Sequence, residues 1–126
     1  MTIEITVSAA GVSVELDGLD RLWALRRRVD LVRGDIARAT VMSRRAAMAS
    51  VGWRLGGTAA PGVALAGNFT FRPAQPGRRQ FWAVYRDTEV LVIDTHIDRP
   101  HRVVVQHPDR VRLAGEINAL VSPPGD

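Results

Sequence analysis

A chain of 126 residues, 46% hydrophobic and 24% charged, has the size and composition of one globular domain. It contains no cysteine, which excludes disulfides, thiolate nucleophiles, cysteine-ligated zinc and iron–sulfur clusters. The first residues alternate polar and apolar side chains, unlike a signal peptide, and no apolar run approaches the roughly 18 residues of a membrane span. We therefore expect one cytoplasmic domain over residues 1–126, without a transmembrane segment.

The net charge of +4 is distributed unevenly along the chain, and every basic residue is an arginine. Residues 21–79 hold twelve arginines against two acids, whereas the remaining residues hold five arginines against eleven acids. Such a basic centre favours an anionic partner. The alternative is internal neutralisation, in which the acids at Asp87, Glu89, Asp94 and Asp98 lie beside the arginines and cancel their field.

In the N-terminal part, alternation of polar and apolar residues over 2–9 and 12–17 predicts two strands joined by a tight turn. The spacing of Leu19, Leu22 and Trp23 then predicts a short helix after Gly18.

The middle of the chain predicts further short elements. Strands are expected around Val29–Leu31 and over Ile36–Met42, followed by a helical turn at Arg44–Ala49. Residues 52–62 are rich in glycine and proline and predict a long loop. Alternation from Val63 to Phe71 predicts the strand that follows this loop.

The C-terminal part predicts three closely spaced strands and a helix. The strands, expected as an antiparallel meander, are Phe81–Tyr85, Glu89–Asp94 and Arg102–Gln106. The helix is expected over residues 108–121, with an apolar stripe made by Leu113, Ala114, Ile117 and Val121. The predicted fold class is therefore mainly β (β-rich α+β), with about seven antiparallel strands in a partly open barrel capped by the helix.

Four segments resemble a small bacterial pleckstrin-homology-like family common in actinobacteria. They are Gly18–Arg27, Gly52–Gly62 with Gly67–Phe69, Phe81–Trp82 with Val90–Asp94, and Arg102–Gln106 leading through Pro108 into the last helix. The resemblance covers nearly the whole chain. It implies a seven-stranded barrel capped by a C-terminal helix, and it implies no enzymatic activity and no particular ligand.

The sequence does not predict a catalytic or cofactor-binding site. Its serines lie outside any nucleophile-elbow motif, and it has neither a P-loop nor a dinucleotide-binding glycine pattern. His96 and His101, with Asp94 and Asp98 nearby, have ligand chemistry for a divalent metal. Their spacing matches no known metal motif, so a polar hairpin turn is the preferred interpretation and no metal is predicted.

The candidate ligand-binding residues are Arg44, Arg45 and Arg54, which flank the glycine-rich loop, and Trp53 within it. Arginine forks bind phosphate or carboxylate groups, and an aromatic ring beside them can stack on a base of single-stranded nucleic acid. The sequence also predicts that residues 56–62 are an ordered connection and that the ring of Trp53 packs on the barrel, since aromatic side chains more often belong to the core.

The resulting functional hypothesis is a non-enzymatic binding or scaffold module whose partner is another protein or a second copy of the chain. The alternative is an anionic-ligand binder, for nucleic acid or a lipid headgroup, that acts through an arginine-rich face.

Overall fold

The computed structural model describes residues 2–17, 28–60 and 64–121. The helix predicted after Gly18 lies outside these residues, as do residues 61–63. The described strands are β1 (Thr2–Ser8), β2 (Gly11–Asp17), β3 (Arg28–Val32), β4 (Ile36–Ser43), β5 (Val51–Ala60), β6 (Ala64–Phe71), β7 (Gln80–Val84), β8 (Glu89–Thr95) and β9 (Arg102–Val105). The described helices are α1 (Arg44–Met48) and α2 (Arg110–Val121), with a 3-10 turn at Arg33–Asp35. The protein is thus mainly β with a C-terminal helix.

The strands form two sheets. A three-stranded antiparallel sheet has the order β1-β2-β3, and a six-stranded sheet has the order β4-β8-β9-β7-β6-β5. The prediction of about seven antiparallel strands is therefore wrong in number and in one pairing, because nine strands are described and β7 runs parallel to β9. No helix in the described ranges is long and apolar enough to cross a membrane.

Strands β7, β8 and β9 of the six-stranded sheet are buried on both faces. Phe81, Leu91 and Val103 point from one face into the core shared with the small sheet and α2. Their neighbours Trp82, Val92 and Val104 point from the other face into a second cluster that includes Ala47 of α1. Because successive side chains of a strand point to opposite faces, the apolar runs of β7, β8 and β9 require cover on both sides.

The predicted meander of the last three strands is wrong, because β9 lies between β7 and β8. The connection from β7 to β8 consequently passes over the end of β9, at Gln106. The Oε1 atom of Gln106 accepts hydrogen bonds from the backbone amides of Tyr85 (2.7 Å) and Arg86 (3.1 Å), and from that of Asp87 at 3.4 Å. One side chain therefore holds the crossing in place, since buried amides otherwise carry a large desolvation cost.

Helix α2 confirms the predicted C-terminal helix, although it begins at Arg110. Leu113, Ala114 and Ile117 of the predicted stripe are buried in the main core, and Val121 packs against it. The opposite side of the helix is exposed at Val111. The apolar spacing of this segment therefore identified the face that covers the sheet.

Asn118 of α2 covers the outer edge of the six-stranded sheet at β4. Its Oδ1 accepts a hydrogen bond from the backbone amide of Ala39 at 2.8 Å, and its Nδ2 donates to the carbonyl oxygen of Ala39 at 2.8 Å. The side-chain amide thus takes the place of a neighbouring strand at this residue. An edge strand that is covered in this way is protected from pairing with another chain.

We expect Asn118→Ala to lower the free energy of unfolding by about 1–3 kcal/mol, because it leaves a nearly buried donor and acceptor of Ala39 without their partner. Asn118→Asp keeps the acceptor for the Ala39 amide but sets a carboxylate oxygen against the Ala39 carbonyl oxygen, so it should also destabilise the protein at neutral pH. Urea denaturation of the three proteins measures the effect. An unchanged unfolding midpoint in Asn118→Ala would show that the edge does not need this side chain.

Candidate functional site

The start of β5 contains a bulge that turns Trp53 outward. Val51 pairs with Phe71 and Arg54 with Phe69, so β5 has one more residue than β6 between these pairs. A Cβ atom at Gly52 would collide with the Thr70 hydroxyl and lie 3.0 Å from the carbonyl oxygen of Phe71, which explains the glycine. The Thr70 hydroxyl accepts a hydrogen bond from the backbone amide of Trp53 at 2.7 Å. The bulge therefore has a specific, hydrogen-bonded geometry.

Two predictions for this segment are wrong. Residues 51–60 form strand β5 where a loop over 52–62 was expected, because glycines at bulges are compatible with a strand. The ring of Trp53, expected to pack on the barrel, is 81% exposed. Of the segment 56–62, which was predicted to be an ordered connection, Gly56–Ala60 belong to strand β5. Residues 61–63 lie outside the described residues.

Trp53 lines an open groove of about 510 Å³ at the end of the sheet. The groove is also lined by Arg72, which follows β6, and Arg79, which precedes β7. Phe71 and Pro76 contribute apolar surface. A tryptophan and two arginines thus line one concave site, which we call the Trp53 groove.

The backbone of the Trp53 groove is tied to the rest of the fold. The amide of Arg72 donates to the carbonyl oxygen of Ser50 at 2.8 Å. The amide of Arg79 donates to the carbonyl oxygen of Asp98 at 2.9 Å, and its own carbonyl oxygen accepts from the amide of His101 at 2.7 Å. Both arginines therefore project from fixed backbone positions, as a preorganised binding site requires.

Below the groove, the fully buried side chain of Gln80 joins three strand ends. Its Nε2 donates to the carbonyl oxygens of Ser50 (2.9 Å) and Thr70 (3.1 Å), and its Oε1 accepts from the indole of Trp82 at 2.8 Å. Because buried polar groups are costly unless paired, this arrangement resists displacement of β5, β6 and β7 relative to one another. Gln80 is a positioning residue that the sequence did not reveal.

Part of the basic centre is neutralised internally. Arg38 pairs with Asp94, Arg78 pairs with Asp98, and Arg28 pairs with Asp30. Two of the acids expected to neutralise the centre, Asp94 and Asp98, therefore do so. Of the other two, Glu89 pairs with Arg110, outside that centre. For Asp87 no ion pair is found with a described side chain.

Neither Arg72 nor Arg79 forms an ion pair with an acidic side chain that the structure describes. The Nη1 atom of Arg79 donates to the carbonyl oxygen of Arg78 at 2.9 Å, which leaves its other guanidinium donors for a ligand. Arg72 is exposed. Positive charge therefore remains at the Trp53 groove after the internal pairs are formed.

The structure does not bring the four predicted site residues together. Arg44 and Arg45 line a separate hollow with Met48, near the start of β8, whereas Trp53 lies at the opposite end of the sheet. Arg44 also donates to the carbonyl oxygen of Tyr85 at 3.2 Å. The backbone of Arg54 pairs with Phe69, and its side chain lies outside the described residues. Arg44 and Arg45 therefore do not line the groove that contains Trp53, and their role in ligand binding stays a prediction.

A third cavity lies on the outer face of the three-stranded sheet. Polar side chains that line this cavity bind one another. The hydroxyl of Ser13 and the Nε of Arg28 both donate to Oδ1 of Asp30, at 2.6 and 2.8 Å. These hydrogen bonds, that of Ser13 foremost, hold the pKa of Asp30 below its usual value. The cluster is satisfied as it stands.

The residues considered for a metal have other contacts. Asp94 accepts from Arg102 at 2.7 Å, and the Nδ1 of His101 lies 2.8 Å from the carbonyl oxygen of Ile97. The described ranges contain no cluster of three or more histidine, aspartate or glutamate side chains that could hold a metal ion.

The sequence singled out Trp53 but missed its partners, Arg72 and Arg79. The usable signal was a glycine directly before a tryptophan within a segment that pairs as a strand, since glycine in a strand marks a bulge. The sequence does not show which strands pair, so it gives no reason to place Arg72 and Arg79 beside Trp53.

No family model matches this chain, and neither a curated protein nor a solved structure matches it.

Proposed function

We propose that this protein is a non-catalytic binding module of pleckstrin-homology-like architecture that holds an anionic ligand in the Trp53 groove. The C-terminal helix that packs on a mainly β core supports this architecture, whereas the nine described strands and the parallel pairing of β7 with β9 depart from it. Guanidinium groups stay protonated at all physiological pH values, so Arg72 and Arg79 supply charge and hydrogen bonds but no proton transfer. Such groups suit recognition of an anion.

The observation that carries the proposal is the exposure of Trp53 beside two arginines without described acidic partners. A tryptophan that is 81% exposed gains little from packing, yet a bulge that requires Gly52 holds it in this position. Bulges commonly redirect a side chain beside a functional site. The groove volume of about 510 Å³ also falls within the roughly 300–1,000 Å³ of small-molecule sites.

A protein partner or a second copy is less well supported. Among the residues whose side chains the structure describes, the other large exposed apolar side chains are those of Val32, Met48 and Val111, which belong to three different elements. Val32 lines the cavity of the small sheet, and Met48 lines the hollow with Arg44 and Arg45. A stable protein interface needs a continuous patch of several hundred Å².

The proposal is tested by calorimetric titration with tripolyphosphate, which carries charge but no ring. We expect binding at about 50 mM salt that weakens at about 200 mM, because screening reduces attraction between exposed charges. The double variant Arg72→Ala/Arg79→Ala should bind at least about tenfold more weakly, since hydrogen bonds to charged groups contribute about 1.5–3 kcal/mol each.

Arg45→Ala is the matched control, because it removes one exposed arginine from the other hollow. It should leave the affinity within about twofold of the parent protein. Loss of binding in Arg45→Ala with retention in the double variant would move the site to that hollow. Absence of tripolyphosphate binding at low salt would contradict the proposed function.

A further inference from the structure

We infer that the ligand of the Trp53 groove is a nucleotide unit, whose base stacks on Trp53 while its phosphate binds Arg72 and Arg79. The inference rests on the proposed function and adds the chemical class of the ligand. It requires a flat apolar face, cations within one or two strand spacings of that face, and a site open at one side. The described residues provide all three.

The flat face is the indole of Trp53. A base has a large π-face, and stacking on an exposed aromatic side chain does not depend on which base is present. The indole projects from a bulge at the sheet edge, since β5 is the last strand of the six-stranded sheet. A ring can therefore approach it from solvent without displacing the core.

The cations come from the two neighbouring strand ends. Phe71, at the end of β6, pairs with Val51, and Gln80, at the start of β7, pairs with Phe69. Arg72 and Arg79 directly follow and precede these residues, so both border the groove. Strand β6 lies beside β5, and β7 lies one strand further away, so at about 4.8 Å between neighbouring strands Arg72 and Arg79 start roughly one and two strand spacings from the strand of Trp53. Long arginine side chains can span these distances to reach the phosphate of a stacked nucleotide. The planar guanidinium also binds phosphate oxygens in pairs, as a single ammonium group does not.

The groove is open, with a volume of about 510 Å³. A closed pocket would accept only a free nucleotide, whereas an open groove also admits one unit of a longer strand. The shared chemistry is therefore a base linked to a phosphate, from a free nucleotide or from a single-stranded nucleic acid. A duplex hides its base faces in the stack and should bind more weakly than a single strand.

The test is a set of titrations of the full chain at about 50 mM salt. The probes are adenosine 5′-monophosphate, adenosine, ribose 5-phosphate, a labelled ten-nucleotide single strand and its duplex. We expect the monophosphate to bind more tightly than adenosine or ribose 5-phosphate, and the single strand more tightly than the duplex. A single strand that binds no better than the monophosphate would identify a free nucleotide as the ligand.

Trp53→Ala should weaken binding of the nucleotide about 5- to 100-fold, the range expected for loss of one base stack, while Trp53→Phe retains most of the affinity. Arg72→Ala should weaken binding. It should also reduce the slope of log affinity against log salt concentration by about one, as expected for the loss of one phosphate contact. Arg45→Ala should change neither quantity. Circular dichroism melting of each variant verifies that it is folded.

The inference is wrong if ribose 5-phosphate binds as tightly as the monophosphate and Trp53→Ala changes nothing. If tripolyphosphate still requires Arg72 and Arg79 under the same conditions, the proposed anion-binding function stands without the nucleotide. If neither tripolyphosphate nor any nucleotide binds, both the function and the ligand class are overturned.

Discussion

Replacing Trp82 by alanine is expected to lower the free energy of unfolding by about 3–5 kcal/mol, the usual loss for a buried tryptophan. Trp82 has no solvent exposure and is the largest fully buried side chain among the described residues. Its ring contacts Phe69 edge-to-face, with ring centroids 6.5 Å apart. The substitution removes this apolar contact and also leaves Oε1 of Gln80 without its described donor. Urea denaturation followed by far-ultraviolet circular dichroism measures the change.

Two control variants separate these contributions. Trp82→Phe removes the indole donor but only a small part of the apolar ring, so its loss should be about 1–3 kcal/mol. Trp53→Ala removes the same residue type from an exposed position and should change stability by no more than about 0.5 kcal/mol. Equal losses in Trp53→Ala and Trp82→Ala would contradict the exposed position of Trp53 and, with it, the Trp53 groove.

Replacing Ile117 by alanine is expected to lower the free energy of unfolding by about 2–5 kcal/mol. Ile117 is fully buried where α2 meets both sheets, so the substitution leaves a cavity that the surrounding strands fill only in part. Chemical denaturation should show a lower midpoint with an unchanged slope, because the surface exposed on unfolding changes little.

Val111→Ala is the control on the same helix, because Val111 is 70% exposed. It should alter stability by no more than about 0.5 kcal/mol, since it shortens a side chain that already contacts water. A loss in Ile117→Ala as small as in Val111→Ala would mean that α2 does not cover the core as described.

Local patterns in the sequence correctly identified most of the elements. The strands β1, β2 and β6 follow from alternating side chains, and α1 and α2 from helix-forming residues and apolar spacing. These signals are local because the spacing of apolar side chains along a segment shows which face of that helix or strand is buried. They also identified Ile117 as a core residue before its surroundings were known.

The candidate site was only partly predictable. Trp53 stood out because an aromatic residue in a glycine-rich segment is unusual, but its bulge depends on pairing with Thr70 and Phe71. The arginines chosen from sequence proximity, Arg44 and Arg45, lie at the other end of the sheet because α1 crosses between the ends of β4 and β5. Proximity along the chain was therefore a poor guide to proximity in the fold.

The amino-acid sequence is sufficient to predict a mainly β, cysteine-free protein with an amphipathic C-terminal helix, because composition and periodicity are properties of local segments. The position of β9 between β7 and β8, and the groove that Trp53, Arg72 and Arg79 border, become apparent only in the folded chain. Strand order depends on which edges meet after collapse, and contacts such as those of Gln106 and Gln80 join residues distant in sequence. No local pattern records such contacts, because their free energy arises only when the strands are assembled.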